Sequence, residues 1–358
     1  MTGWDDALGA ITVNDAGPTA TGLPVGLPMP RDREVLFDRA RRVRVTRARD
    51  RGYPFPVPNG WFVVAESIDL GPGEMLVLHY FARDLVLYRT VSGEPRVVDA
   101  HCPHLGAHLG VGGKVEGDCV RCPFHGWVFD GATGDCVEIP YGEATRIPAR
   151  AATRAYPTVE RNGMVWAWYH AEGAEPFYDV PVVGEFADPE WSAAVVRAFE
   201  IAVPAQDMAE NNVDYAHFHY VHGSEAIPED EFHVDGTYKR AVGMEGAFVR
   251  EGYGLGLGVL RIAGSVTFIS STTPIDEETV HVRWIFTAPV ANGPSAATDA
   301  ADSFCDGVSQ DIPIWENKVY RSRPVLTRSE RPIIEHRRWA RQFYSHYDEP
   351  DPVEDTEA

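Results

Sequence analysis

The chain has 358 residues, 44% hydrophobic and 24% charged, which is ordinary globular composition with room for two domains. Acidic groups outnumber basic ones 53 to 32, for a formal charge of −21, so nucleic-acid phosphates and anionic membrane surfaces are not expected partners. No apolar run reaches the roughly 20 residues of a membrane span. The start, Met1-Thr2-Gly3-Trp4-Asp5-Asp6, lacks the basic and apolar regions of a secretory signal, so the cytoplasm is the expected compartment. Five cysteines in a reducing compartment read as metal ligands or free thiols.

Residues 1 to about 30 are rich in Gly, Pro and Thr without a hydrophobic period, and read as a loosely packed arm. Residues 31–51 carry nine arginines, but the interspersed Asp32, Glu34, Asp38 and Asp50 favour a solvated helix with mixed charge pairs over a nucleic-acid arm. Residues 1–52 are therefore expected to form an N-terminal arm and helix. Pro54, Pro56, Pro58 and Gly60 mark a domain start. From Trp61 to about His170, short strand-like runs such as Met75-Leu76-Val77-Leu78 and Met164-Val165-Trp166-Ala167-Trp168 alternate with turn residues. This predicts a small antiparallel β domain over residues 53–170.

Pro176, Pro181, Gly184 and Pro189 read as a linker within residues 171–190, opening a second domain that runs from 171 to 347. In it, Ala205 to Val221 is predicted as one helix and residues 247–290 as long antiparallel strands. Gly252, Gly254, Gly256 and Gly258 alternate along one predicted strand, which would put all four on one face and leave room for a flat, rigid ligand. A bulged or tightly packed strand is the plainer reading of the same four glycines. Val308 to Tyr320 reads as a helix with Pro313 in its first turn, and Ile333 to Tyr347 as another. Residues 348–358 hold six acids and two prolines and read as a solvated acidic tail. The expected fold class is α+β, a β-sandwich followed by a domain whose antiparallel sheet wraps a long helix.

Two constellations carry chemistry. Cys102-Pro103-His104 and Cys122-Pro123-Phe124-His125 each supply one thiolate and one imidazole. A zinc finger would group Cys with Cys and His with His. Mixed loops suit a [2Fe–2S] cluster in which one iron takes both sulfurs and the other both imidazoles. Cys119, Cys136 and Cys305 are expected to be buried free thiols, and His108 structural. The second constellation runs from Asn211 to His222. On a helix Asp214 and His217 share a face. His217 and His222 are about 140° apart, so they converge on one metal only if the helix loosens near Gly223. His219 lies off this face and is expected to pack. Two imidazoles and one carboxylate make the facial set of non-haem Fe(II) oxygenases. Asp214, Asp302, Asp306, Asp311 and Glu316 are all candidates for the carboxylate, and spacing does not choose among them.

The stretch from Cys102 to Trp127 resembles the cluster region of Rieske-type oxygenases. High-potential Rieske proteins carry a further cysteine in each loop; here those positions are Ala107 and Phe124, which points to the oxygenase or ferredoxin type. Asn211-x-x-Asp214-x-x-His217-x4-His222 is similar to the iron-binding motif of the same family, and Gln310-Asp311-Ile312-Pro313-Ile314-Trp315 to its later helix. The resemblance implies that Cys102, His104, Cys122 and His125 hold the cluster, and that His217, His222 and Asp311 hold a mononuclear Fe(II). It implies that Asn211 stands just outside the ligands and that Asp214 bridges cluster and iron between subunits of a ring-shaped homotrimer.

The resemblance covers about residues 55–345. It is strongest at Cys102 to Tyr141 and Asp311 to Tyr344, where the chain resembles 3-ketosteroid 9α-hydroxylase oxygenase components and cholesterol 7-desaturases. It implies a terminal oxygenase that uses O2 to hydroxylate or desaturate an aliphatic C–H of a hydrophobic, steroid-like substrate. An aromatic or natural-product substrate is the alternative. The sequence shows no plant-ferredoxin cysteine set and no G-x-G-x-x-G loop. A separate NAD(P)H-dependent reductase, with or without a ferredoxin, is therefore the expected electron source.

Overall fold

The computed structural model describes residues 51–141, 146–224 and 231–347. The expected arm and helix, apart from Arg51 and Gly52, and the acidic tail lie outside the described residues. The first eleven strands are β1 (Gly60–Glu66), β2 (Met75–Tyr80), β3 (Arg83–Arg89), β4 (Pro95–Asp99), β5 (Lys114–Glu116), β6 (Cys119–Arg121), β7 (Val128–Asp130), β8 (Cys136–Glu138), β9 (Ala155–Tyr156), β10 (Thr158–Arg161) and β11 (Met164–Tyr169). They pair into antiparallel sheets ordered β2-β3-β4-β9, β5-β6-β7-β8 and β1-β11-β10. Val86, Tyr88, Val98, Leu109, Val120 and Phe129 form the apolar filling between the first two.

The apolar run of β1 is continuous because both of its faces are buried. Phe62 and Val64 pack with Tyr80, Leu85 and Val97. Trp61 and Val63 pack the other way, with Trp166 and Trp168 of β11 and with Leu257, Val259, Ile269 and Ile285 of the second half.

That second half contains β12 (Val195–Ile201), α1 (Ala205–Glu210), α2 (Ala216–Tyr220), β13 (Glu231–Asp235), β14 (Tyr238–Gly243), β15 (Phe248–Tyr253), β16 (Leu257–Ile262), β17 (Val266–Pro274), β18 (Val280–Thr287), α3 (Ala296–Trp315) and α4 (Arg331–Ala340). The strands form one antiparallel sheet ordered β12-β18-β17-β16-β15-β14-β13. Ala301, Cys305, Val308, Ile312 and Trp315 recur at helical spacing and pack α3 against Phe199, Val282, Trp284 and Phe286. This is the expected α+β architecture, with a long helix held against an antiparallel sheet. Among the described residues no helix is long and apolar enough to cross a membrane.

Four local expectations are corrected. The helix predicted from Ala205 to Val221 breaks: α1 ends at Glu210, a 3₁₀ turn spans Asn211–Val213, and Asp214 leaves helical geometry at φ −88°, ψ 93°. Asn and Asp side chains compete for backbone hydrogen bonds and favour such breaks. The helix predicted from Val308 begins twelve residues earlier, just after Gly293-Pro294-Ser295, so Pro313 lies in its last turn. The stretch read as a linker is packed: Tyr178, Val180 and Val183 join the β1 core, and Trp61 donates its indole N–H to the Tyr178 carbonyl at 2.7 Å.

The four alternating glycines do not share one strand. Gly252 and Gly258 are partners across the β15–β16 hairpin, while Gly254, at φ +66°, and Gly256 form its turn. A Cβ on Gly256 would lie 2.4 Å from Phe62 Cδ1 and 2.6 Å from the Trp61 carbonyl oxygen. Gly256→Ala should therefore wedge the two halves apart and cost about 1–3 kcal/mol, read as a lower midpoint in thermal unfolding.

Candidate metal centres and their cavity

The loops after β4 and β6 have the same shape. In each, the cysteine carbonyl accepts from a glycine N–H four residues on: Gly106 to Cys102 at 2.9 Å, and Gly126 to Cys122 at 3.1 Å. Both glycines adopt positive φ, at 76° and 75°, which a side chain would strain. In each, the cysteine N–H donates to the carbonyl five residues on, Ala107 and Trp127. The loops thus turn Cys102 and Cys122 inward, both buried and in thiol contact. They turn His104 and His125 outward, with ring centroids 4.7 Å apart. Burial pushes the Cys102 thiol up to about 11, with the neighbouring Cys122 thiol a lesser cause. Two buried thiols behind two half-exposed imidazoles are the donor set of a cluster with unequal irons. Trp127 lies flat on His104, at 4.5 Å and 7°, and its indole donates to the Tyr141 hydroxyl at 2.8 Å. Leu105, Phe124 and Tyr141 stand exposed around the two histidines.

His108 accepts from the Gly110 N–H at 3.1 Å, as a structural histidine does. Cys136 and Cys305 are buried thiols outside any disulfide; Cys119 is half-buried rather than fully so.

The break at Asp214 settles the angle between the other two histidines. His217 sits on α2, whereas His222 lies beyond its end, where Gly223 at φ +70° reverses the chain. Their rings come to 5.2 Å, and Asp311 reaches them from α3. His217, His222 and Asp311 each offer one ligand atom, and the three atoms lie within 4.8 Å of one another. His222 Nε2 is 3.2 Å from Asp311 Oδ2. His217 donates from Nδ1 to the Asp214 carbonyl, which turns its Nε2 lone pair inward, 3.1 Å from Asn211 Nδ2. His222 Nδ1 is buried without a hydrogen-bond partner among the described residues. Burial lowers the His217 pKa and raises that of Asp311 to about 6, with His222 opposing the rise. Two imidazoles and a desolvated carboxyl on one side of a cavity are the donor set that a divalent iron would take.

The other carboxylates stand elsewhere. Asp302 pairs with Arg197 at 2.7 Å, and Glu316 accepts from the Ala202 N–H at 3.3 Å. Asp214 contributes its backbone carbonyl, and its half-buried carboxylate acts on His217 and Asp311 through its charge. His219 donates to the Ser224 carbonyl and packs on Tyr220. The segment is anchored from below by Arg337 of α4, which binds Glu210 of α1 through two bonds of 2.7 and 2.9 Å, both side chains buried. Arg337→Met would strand the Glu210 charge, and is expected to cost about 3–5 kcal/mol in chemical unfolding.

The three candidate iron ligands face a cavity of about 320 Å³ between α3 and the sheet. Its walls are largely apolar, with Phe248, Leu260, Phe268, Trp284 and Phe304 among them. Lys239 and Arg250 also line it. Sequence reading missed both. The available signal was the period of two, which puts Lys239 with Ala241, and Arg250 with Gly252, on the face turned to α3.

The profile of the Rieske [2Fe-2S] domain matches residues 60–157, and that of the 3-Ketosteroid 9alpha-hydroxylase C-terminal domain matches residues 167–344. The cholesterol 7-desaturase of Caenorhabditis elegans is 32% identical over 334 residues, covering 80% of this chain and 77% of the relative. The oxygenase component of 3-ketosteroid-9-alpha-monooxygenase from Rhodococcus rhodochrous is 28% identical, covering 81% of this chain and 85% of the relative. Among solved structures, Pseudomonas putida CBB5 NdmA with caffeine aligns at TM-score 0.63 and 21% identity, covering 78% of this chain and 89% of its own. Dicamba monooxygenase bound to dicamba aligns at 0.59 and 22%, covering 81% and 98%. The chain is an oxidoreductase and belongs to the Rieske oxygenases, the family with a [2Fe–2S] cluster and a mononuclear iron, within the group of the cholesterol 7-desaturases and the 3-ketosteroid 9α-hydroxylase oxygenase component.

Proposed function

We propose that this chain is the terminal oxygenase of a multicomponent system, and that it hydroxylates or desaturates an aliphatic C–H of a steroid-like substrate. The observation that carries this reading is the convergence of His217, His222 and Asp311 on the wall of an apolar cavity. Cys102, His104, Cys122 and His125 hold the cluster; His217, His222 and Asp311 hold the iron. When bound, the cluster supplies electrons and the iron the place where dioxygen is activated.

The chain's own residues do the rest. The Asp214 carbonyl fixes the tautomer and direction of His217, the Arg337–Glu210 pair fixes the segment, and the apolar walls orient the substrate and exclude water. Hydroxylation consumes one O2, two electrons and two protons per alcohol and releases one water. Desaturation takes the same inputs, removes two hydrogens and releases two waters. An NAD(P)H-dependent reductase, with or without a ferredoxin, delivers the electrons; a relative's description as an oxygenase component supports this. The exposed collar of Leu105, Phe124 and Tyr141 supports docking of one subunit's cluster on its neighbour. In such a homotrimer Asp214 is the bridge.

The test is substrate-dependent O2 and NADH consumption by the purified protein with a surrogate reductase. The panel holds cholesterol, 3-ketosteroids and bile acids beside aromatic acids. Coupled consumption with a steroid is the expected result. Consumption with aromatic acids alone, both metal sites being loaded, would overturn the steroid assignment and leave the oxygenase assignment standing.

A further inference from the structure

Five of the residues that line the cavity lie in one cross-strand row: Lys239 on β14, Gly252 on β15, Gly258 on β16, Ser270 on β17 and Trp284 on β18. The middle of the floor is therefore bare, with a cation at one end. Lys239 is 6% exposed, and its stem lies across Gly252, where a Cβ would sit 2.7 Å from the lysine Cε and 2.8 Å from its Cγ. Nζ donates to the Ala209 carbonyl at 3.3 Å and stands 3.1 Å from His336 Nδ1. The Trp339 ring lies 4.9 Å away.

Both polar neighbours are neutral. One is a carbonyl. The other is an imidazole whose pKa burial holds well below the ordinary range. Among the described residues no carboxylate lies within ion-pair distance of Nζ. Glu210, the acid whose field reaches it, is committed to Arg337. An ammonium has three donors, and an uncompensated buried cation is costly. Burial accordingly pushes Lys239 down to about 7. The Ala209 carbonyl and His336 leave one of the three donors without a partner, on a residue that lines a largely apolar cavity.

We propose that Lys239 anchors the substrate by donating to an acceptor oxygen, a ketone or a carboxylate, and that position 252 is glycine because the lysine stem occupies the space of its side chain. The proposal rests on this cavity being the substrate site. A ligand so held would lie over Gly252 and Gly258, where a Cβ on Gly258 would meet nothing closer than 3.4 Å.

The experiment is calorimetric binding to the holoenzyme, with cluster and iron content measured for each variant. The ligands are a 3-ketosteroid and a steroid carboxylic acid, each beside its counterpart lacking that oxygen. Wild type should prefer each oxygenated ligand by about tenfold or more. Lys239→Met should abolish both preferences while leaving affinity for the deoxygenated ligands unchanged. Lys239→Gln, which keeps a neutral donor, should retain part of the ketone preference and lose the carboxylate preference. Gly252→Ala, which deletes no hydrogen-bonding group, should weaken both by displacing the stem. Preferences that survive in Lys239→Met would overturn the proposal, as would a wild type that prefers neither oxygenated ligand. Should wild type bind no steroid, the steroid assignment falls on its own. The same comparison with aromatic acids and their parent hydrocarbons then decides the anchor.

Discussion

Asp311→Ala is expected to lose the mononuclear iron and all substrate turnover while keeping the visible absorbance of the cluster. Asp311 is the one candidate carboxylate that reaches both histidines, with an oxygen 3.2 Å from His222 Nε2. Without it only two imidazoles remain, and they bring no negative charge to balance a divalent iron. The variant should nonetheless fold at least as well as the iron-free wild type. Burial already disfavours the ionised Asp311, so deleting that carboxyl removes an unfavourable group rather than a stabilising one. Iron analysis, thermal unfolding and turnover of one preparation check all three parts. An active Asp311→Ala enzyme would remove Asp311 from the ligand set.

Cys122→Ser is expected to do the reverse. The loops of Cys102 and Cys122 are joined across a buried thiol pair at the edge of the core formed by Val86, Leu109, Val120 and Phe129. A cluster there ties the loops together, so its loss removes a cross-link as well as a redox centre. The variant should lose its visible spectrum, its reductase-driven turnover and part of the thermal stability of the first half. The mononuclear site, built from other elements, should still bind iron. A full visible spectrum in Cys122→Ser would reassign the cluster ligands.

How much of this was legible in the sequence follows from how far apart the cooperating residues lie. The two cysteine–histidine loops are local: each ligand pair spans four residues or fewer, and the glycine four positions after each cysteine sets the turn. Spacing alone therefore suggested the site. Asp311 lies far along the chain from His222, on a helix whose start at Ala296 was hidden by the acids Asp299, Asp302 and Asp306 among its apolar positions. No local pattern distinguished it from its acidic neighbours, and only the family resemblance singled it out.

The break at Asp214 was written in Asn211 and Asn212, two weak helix formers, but the apolar period running through them concealed it. Gly252 to Gly258 satisfied a period of two as well in a hairpin turn as in a strand, and only the positive φ of Gly254 separates them. The period of two puts Lys239 with Ala241 and Arg250 with Gly252 on one sheet face, but their burial comes from α1, α3 and α4 closing over that face, a tertiary fact that the period alone does not contain.

The most direct test of the central claim is the mass of a steroid recovered after turnover under ¹⁸O2 with the reconstituted reductase. The account predicts a product heavier by one labelled oxygen atom, or lighter by two hydrogens. Recovery of every steroid unchanged, with the cluster cycling and both metal sites full, would contradict it.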